Sequence, residues 1–399
     1  MDKKRVDFLL IGVLAGLIIS GAMALLLFGG VGGVRAALKY AAVLRVIRME
    51  FVADYDVDEI SDSAMEGAVA GLDDRWSYYM DKETYAAYRD VSANRYQGIG
   101  VAVSKEDETG GFCIKRVNRD GPAMQAGLVP GDIIIAVDGV DVTQGSMDDL
   151  RELIRADFGK NAVITVRRED GTEAEISVSC EEIYSTPVDS EMLPDGESGY
   201  IRIKNFRDGS AADAIEACDS LVAKGAKRLV FDVRNNPGGQ LSELVELLDH
   251  LLPEGAIFIR ADKHGNESVE FSDASCVDLP MAVIVNDESF SAAEFFAAAM
   301  QEFDWAEIVG EATTGKSRSQ ITVSLSDGSA VHLSKFRYMT PNRVDLYEAG
   351  GIIPDEEVAL TEEERELFDT GWLEHADDPQ LHAAVSAASD IAKFDELDA

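Results

Sequence analysis

From Tyr184 onward the apolar segments alternate between short continuous runs and longer stretches with helical spacing, and this order restricts the fold more than any other feature. Tyr200 to Ile203, Leu229 to Val233, Ala282 to Val285 and Ile308 to Gly310 read as strands; Ala211 to Ala223, Leu241 to Leu252 and Ala292 to Phe303, which separate them, read as helices. Apolar strands joined by helical crossovers predict an α/β core with largely parallel strands. Reactive residues in such a core gather at the strand ends. Ile321 to Leu325 and Ala330 to Leu333, joined through Asp327-Gly328, add a hairpin.

Upstream the pattern differs. Between Gln97 and about Glu182, Val101 to Val103 and Phe112 to Val117 read as strands, Pro130-Gly131-Asp132 as a turn, and Ile133 to Val137 as a buried strand closed by Asp138-Gly139. Ser146 with Asp149 starts a helix whose apolar face is Met147, Leu150, Leu153 and Ile154. Ala162 to Val166, the Asp170-Gly171 turn and alternating Ala174, Ile176, Val178 and Cys180 complete a hairpin. The whole predicts one small β-rich domain with a helix beside a groove.

Ala36 to Tyr55 and Ile60 to Leu72 have helical spacing and predict a neck, which is also where self-association into a homo-oligomer would sit. The aromatic residues that follow, Trp76, Tyr78, Tyr79, Tyr85 and Tyr88, read as core packing. Ahead of the neck, Phe8 to Phe28 is a nearly continuous apolar run of bilayer-crossing length behind the basic start Met1 to Arg5. It predicts an uncleaved membrane anchor. A cleavable signal peptide competes, because Ala22-Met23-Ala24 resembles a cleavage site, but Leu25 to Phe28 still follow it. Lys3, Lys4 and Arg5 on one side face Arg35, Lys39, Arg45 and Arg48 on the other, so the positive-inside rule leaves the orientation open. The acid-rich end, Glu362 to Ala399, reads as a solvated helical tail with a weak apolar stripe.

With 399 residues, 46% of them hydrophobic, the chain can build several cores; its formal charge of -38 repels a phosphate backbone and argues against a nucleic-acid partner. Cys113, Cys180, Cys218 and Cys276 show no C-x-x-C spacing and no nearby His pair, so no metal and no cofactor is expected. Cys113 and Cys180 could pair across the β-rich domain, but sparse, irregular spacing reads as buried free thiols.

Ser291 falls between the probable strand end Val285-Asn286 and an apolar-faced helix, a position that exposes a hydroxyl and points the Ala292 N–H toward a developing oxyanion. Lys316 follows Thr313-Thr314-Gly315, and Gln320 lies four residues on. A serine hydroxyl needs a neighbouring base, and a lysine amine serves only where desolvation lowers its pKa. Asn235-Asn236-Pro237-Gly238-Gly239, after another strand, offers backbone amides as a second oxyanion donor. Taken singly, each has a plain reading: Ser291 or Ser289 as a helix cap, Lys316 as a loop lysine, Pro-Gly-Gly as a turn. Their joint placement at strand ends points to acyl transfer. No serine stands in a G-x-S-x-G context calling for one of the five histidines; His332, in a strand segment, is the best histidine base and reads better as core or surface.

These stretches, together with Gly67, Gly71-Leu72-Asp73, Gly98 to Val101, Gly121 to Asp138, Gly199 to Ile203, Asp232 to Gly239, Tyr338 to Pro341 and Gly351 to Asp355, resemble the carboxyl-terminal processing (tail-specific) serine proteases with an embedded PDZ domain, over roughly residues 55 to 358. With the anchor, neck and tail read from composition, the resemblance divides the chain into an anchor at 1–31, a neck at 32–95, a PDZ domain at 96–183, a crotonase/ClpP-like α/β protease core at 184–360 and an acidic tail at 361–399. It implies Ser291 as nucleophile, Lys316 as general base, Gln320 aligning the lysine, and Gly238, Gly239 and Ala292 as the oxyanion hole. Gly98, Ile99, Gly100 and Val101 would hold the terminal carboxylate of a peptide added as a strand, with Arg155 coupling that peptide to activation. The implied partners are protein or peptide substrates with free C-termini, and the implied location is a single-pass membrane protein with its catalytic portion outside the cytoplasm. Phe290 and Ala293 depart from the family's alanine and serine, and Ser317-Arg318-Ser319 from its glycine and apolar residue. Those departures motivate the alternative of an inactive PDZ scaffold on a protease fold.

Overall fold

The computed structural model describes residues 20–390 apart from 24, 27, 28, 107–109, 119, 120, 157 and 169. Most of the Phe8 to Phe28 run lies outside the described residues, and among those described no helix is long and apolar enough to cross a membrane. The chain divides into two compact units at Met65/Glu66. The first holds the helix Val31–Glu50 and most of Val57–Ala70, tied by a 2.7 Å hydrogen bond between the Tyr40 and Ser61 hydroxyls. Neither helix buries a residue.

In the second unit the predicted alternation is realised as a six-stranded sheet ordered Val188–Met192, Ser198–Ile203, Arg228–Asp232, Met281–Val285, Ala306–Gly310, Glu356–Glu357. Only the first pair is antiparallel; the rest run parallel, as helical crossovers require. Helices Ser210–Ala223, Leu241–Leu251 and Ala292–Glu302 cover one face, with Phe206, Phe231, Leu247, Phe295 and Phe296 in the core between. The helix Ala292–Glu302 is buried from Ala292 to Met300, Glu294 included, because it is wedged between this sheet and a second one. That second sheet joins Tyr78–Met80, Ala330–Met339, Gly255–Ala261 and Glu267–Ser272, with Arg318–Ser324 paired to Ala330–Met339. The Gly255–Ala261 and Glu267–Ser272 hairpin was not legible in the sequence.

The acid-rich end requires a correction. Pro379–Asp390 is a packed helix whose Leu381, Ala384 and Ala388 lie buried against the other face of the main sheet. It is also held by charge: the buried Arg234 guanidinium donates to Asp232 at 2.6 Å and to Asp378 at 2.7 Å. Burial would push the Asp232 carboxyl up, but Arg234 overrides this and holds it at about 2. Small alanines at helical spacing made a stripe too weak to read as a core contact.

The β-rich region forms a six-stranded sheet ordered Val101–Lys105, Phe112–Val117, Ile133–Val137, Asn161–Arg167, Glu173–Ser179, with Val140–Asp141 on Ile133–Val137. Ser146 caps its helix Met147–Ala156: the Ser146 N–H donates to Asp149 at 2.7 Å and the Asp149 N–H to the Ser146 hydroxyl at 3.2 Å. All four cysteines are free thiols, three of them buried.

Candidate active site

Ser291 is the N-cap of the helix Ala292–Glu302 and has φ 59° and ψ -122°, a conformation that costs a non-glycine residue about 1–3 kcal/mol. Neighbouring bonds impose it. The Ser291 N–H donates to Glu294 Oε2 at 2.8 Å, and the Phe290 N–H donates to the Asn236 carbonyl at 3.1 Å. Ser289, the competing cap, is buried, and its hydroxyl donates to the Val233 carbonyl at 2.7 Å; it sews two strand ends together. Asn235 and Asn286 reinforce that seam by exchanging hydrogen bonds of 2.9 and 2.6 Å.

Glu294 organises the site. Its carboxylate, 0% exposed, also accepts from the Lys316 N–H at 2.8 Å, the Gly315 N–H at 2.5 Å and the Thr313 hydroxyl at 2.6 Å. The backbone nitrogens of Ser291 and Lys316 share one oxygen, so they lie within twice 2.8 Å of each other although 25 positions apart in sequence. Gly315 has φ +82°, and a Cβ there would lie 2.9 Å from the Leu346 carbonyl oxygen and the Gly351 nitrogen, so only glycine lets the lysine turn pass. Glu294 was not singled out in the sequence; serine at N-cap with glutamate at N3 is a capping-box signal that could have found it.

The Lys316 amine is half-buried, and burial pushes its pKa down to about 8, with Arg75 adding to the depression while Glu294 and Asp74 oppose it. Its nitrogen lies 4.1 Å from the Trp76 ring centroid and 5.7 Å from that of Phe290. Trp76 read from sequence as core packing; the structure sets it against the lysine. Gln320 is in the strand Arg318–Ser324, and its side-chain amide donates to the Arg318 carbonyl at 2.9 Å and the Ser334 hydroxyl at 3.3 Å, with no hydrogen bond to Lys316 among those described. His332 stacks on Tyr78 at 4.7 Å, and burial, aided by the Lys316 charge, lowers its pKa to about 4.

The oxyanion donors separate on peptide geometry. A trans peptide unit points its C=O and N–H in opposite directions. The Ser291 carbonyl accepts from the N–H groups of Glu294 and Phe295 inside the helix, so the Ala292 N–H points out of its N-terminus. Likewise the Gly238 carbonyl accepts from the Phe206 N–H at 2.9 Å, which turns the Gly239 N–H the other way. The Gly238 N–H is already taken, donating to Asn236 Oδ1 at 2.8 Å. Gly238 instead supplies closeness: a Cβ there would lie 2.8 Å from the Ala292 nitrogen and from the Ser291 Cβ.

Gly98, Ile99, Gly100, Val101 and Arg155 come together along a separate groove of about 430 Å³, with Leu150 and Ile154 as its apolar floor. The Ile99 and Gly100 carbonyls accept from the Ala123 and Asn118 N–H groups at 2.9 Å, which turns the Gly100 and Val101 N–H groups away from those partners. Elsewhere, Cys218, Asp219 and His250 bring three ligating atoms within 4.8 Å, a juxtaposition of two helices that sequence spacing hid. Burial pushes the Cys218 thiol up to about 12, which opposes the thiolate a metal would need.

The model of peptidase family S41 matches residues 197–358, and a PDZ-domain model matches 113–168. Over 330 residues the chain is 31% identical to the carboxyl-terminal-processing protease of Synechocystis sp., covering 81% of this chain and 75% of that protein. The chain belongs to the carboxyl-terminal processing proteases of family S41. It is also 31% identical, over 306 residues, to the carboxy-terminal processing protease CtpA of Bacillus subtilis, covering 76% of this chain but 65% of that relative's length. Among solved structures, the photosystem II D1 C-terminal processing protease matches with a TM-score of 0.50 and 25% identity, covering 85% of this chain and 91% of that one. Where the chain departs from the S41 pattern, the replacements are accommodated. Ala293 is fully buried in the core, Ser317 is buried with its hydroxyl donating to Asp345, and Phe290 lies beside the lysine amine.

Proposed function

We propose that this chain is a serine endopeptidase using a Ser-Lys dyad, with protein substrates recruited by their C-termini to the PDZ groove. In the chemical step the neutral Lys316 amine takes the Ser291 Oγ proton as Oγ bonds to the scissile carbonyl carbon, and the N–H groups of Ala292 and Gly239 receive the oxyanion. Collapse of the tetrahedral intermediate breaks the C–N bond, the Lys316 ammonium gives its proton to the leaving amine, and water then hydrolyses the acyl-enzyme through the same base. The observation that carries the reading is the Glu294 carboxylate, which draws the serine and lysine turns onto one buried anchor beside a lysine of lowered pKa.

The groove supports tail recognition because its carboxylate loop, apolar floor and Arg155 fit an extended peptide ending in an apolar residue and a free carboxylate. Membrane anchoring rests on the apolar run Phe8 to Phe28, placement outside the cytoplasm on the family likeness, and self-association through the neck on its unburied helices. A second reading, a non-catalytic tail-binding scaffold, draws on the lysine amine lying over Trp76 rather than in a hydrogen bond with Ser291. A fluorophosphonate probe with the full chain separates the two: covalent labelling at Ser291, lost in Ser291→Ala, accompanies cleavage of a free-carboxylate peptide. An unlabelled, properly folded protein would leave only the scaffold.

A further inference from the structure

Burial lowers the Lys316 pKa, yet one contact of its amine favours the ammonium. Its nitrogen is 4.1 Å from the Trp76 centroid, and Phe290, whose ring centroid is 6.5 Å from that of Trp76, closes the other side at 5.7 Å. The negative face of an indole attracts a cation and gives nothing comparable to a neutral amine, whose lone pair must instead face the Ser291 hydroxyl to act as a base. Among the described residues no hydrogen bond joins the amine to Ser291 or Gln320, and the Glu294 and Asp74 carboxylates act on it through charge alone.

The Trp76 backbone has an anchor of its own. Trp76 lies in a turn where the Asp74 carboxylate accepts from its backbone N–H at 3.2 Å and from the Ser77 hydroxyl at 2.6 Å. The Ser77 hydroxyl in turn accepts from the Ser334 N–H at 3.0 Å, and the next strand, Tyr78–Met80, pairs with Ala330 to His332. The lysine backbone, by contrast, hangs on Glu294. Two anchors thus meet at one cation, and the backbone nitrogens of Ser291 and Lys316, both on one Glu294 oxygen, keep the serine close to the base of the lysine side chain.

We propose that Trp76 is a positioning residue that holds the Lys316 ammonium off Ser291, so that the amine must leave the indole face before it can take the serine proton. The proposal rests on the Ser-Lys reading above. The charged groups that act on the amine are Glu294, Arg75 and Asp74; it acts in turn on His332. Arg75 also lies over the Trp76 ring, 4.1 Å from its centroid, so the ring is shared by two cations. Removing the ring removes a contact that favours the charged lysine, and the proton affinity of the amine falls.

The test compares Trp76→Leu, which keeps apolar cover without a π face, and Trp76→Phe, which keeps a weaker one, in the full chain. Lysine Cε resonances are followed by NMR against pH, and peptide cleavage is followed over the same range. In the parent chain the Lys316 ε-methylene protons are expected to be shifted upfield by the indole ring current. Trp76→Leu abolishes that shift and lowers the Lys316 proton affinity by roughly 2- to 30-fold, the equilibrium factor of a cation–π contact. Below the midpoint, cleavage rises by the same factor and the pH limb moves to lower pH; Trp76→Phe falls between. An unshifted Lys316 resonance in the parent chain overturns the proposal, and so does a midpoint unmoved by Trp76→Leu. Normal turnover with an unmoved pH limb also defeats it while leaving the dyad intact. A ring-shifted Lys316 that responds to Trp76→Leu in a chain without turnover supports the indole contact and counts against the dyad instead.

Discussion

The groove beside the Met147–Ala156 helix and the candidate active site are built in opposite ways. The groove takes its lining from two short stretches, Tyr96 to Val103, where two strands meet at a turn, and Met147 to Arg155 on one helix. The active site draws on Trp76, the Asn235 to Gly239 turn, the Ser291 turn and the Lys316 turn, and it exists only because Glu294 and the Asn235–Asn286 pair bind those turns together. A locally built site should tolerate single substitutions one contact at a time. A site sewn from distant turns should fail as a unit.

The largest effect that could break this contrast is removal of a reacting group. Ser291→Ala or Lys316→Ala is expected to lower kcat/KM by at least about 10³-fold while C-terminal peptide binding and the thermal transition stay near those of the parent chain. Retained cleavage in both variants would dismiss the dyad.

Next comes the anchor itself. Glu294→Gln keeps the volume but sets an amide N–H₂ against groups that also donate, and leaving such buried donors unpaired costs about 1–3 kcal/mol each. Cleavage should drop about 10²-fold, since small misplacements of a catalytic group cost that much, and urea unfolding should show lower stability in the same variant. Normal kinetics in a destabilised protein would mean that Glu294 holds the fold and not the site.

The pH dependence is a third test. In the proposed dyad the neutral lysine is the base, and burial pushes its pKa down to about 8, so kcat/KM should climb about tenfold per unit below that value and level off above it. A limb near 6.5 would point to a histidine, though His332, lowered to about 4, could not supply it.

Smaller effects test the groove. Arg155→Ala should weaken a free-carboxylate peptide several-fold, the loss expected for an exposed charge pair worth about 1 kcal/mol, and leave its C-terminal amide unchanged. Titration calorimetry with the two peptides would show whether that difference is absent. Gln320→Ala should change kcat/KM by less than about threefold, because its amide is engaged by Arg318 and Ser334 and the lost interaction is a surface-strength hydrogen bond. A hundredfold loss would restore Gln320 as the residue that aligns the lysine.

Legibility in the sequence follows the same division. The parallel strands and the helices from Tyr200 to Gly310 were readable within a few residues because burial on both faces gives continuous apolar runs, whereas the antiparallel strands Val188–Met192, Gly255–Ala261 and Glu267–Ser272 were not. The Ser146 cap was readable because it is a contact three residues apart. Less was readable where partners are distant. The tail helix looked solvated because its buried face is mostly alanine, and the acid that pairs with Arg234 is Asp378, 144 positions away. Trp76 looked like packing, since nothing in its neighbourhood of the sequence names a lysine 240 residues on. Gly238 and Gly239 were rightly grouped as a turn near the serine, but only hydrogen-bond partners distinguish the one whose N–H is taken from the one whose N–H is turned away from its neighbour.

By itself the sequence determined the α/β core, the β-rich insert and the chemical types at positions 291 and 316, because apolar periodicity and turn residues act over a few positions. The tertiary structure decided what those groups face: a carboxylate gathering four donors, an indole under an amine, a guanidinium closed between two aspartates. Such contacts join residues far apart in the chain, and their strength comes from burial, which exists only once the chain has folded.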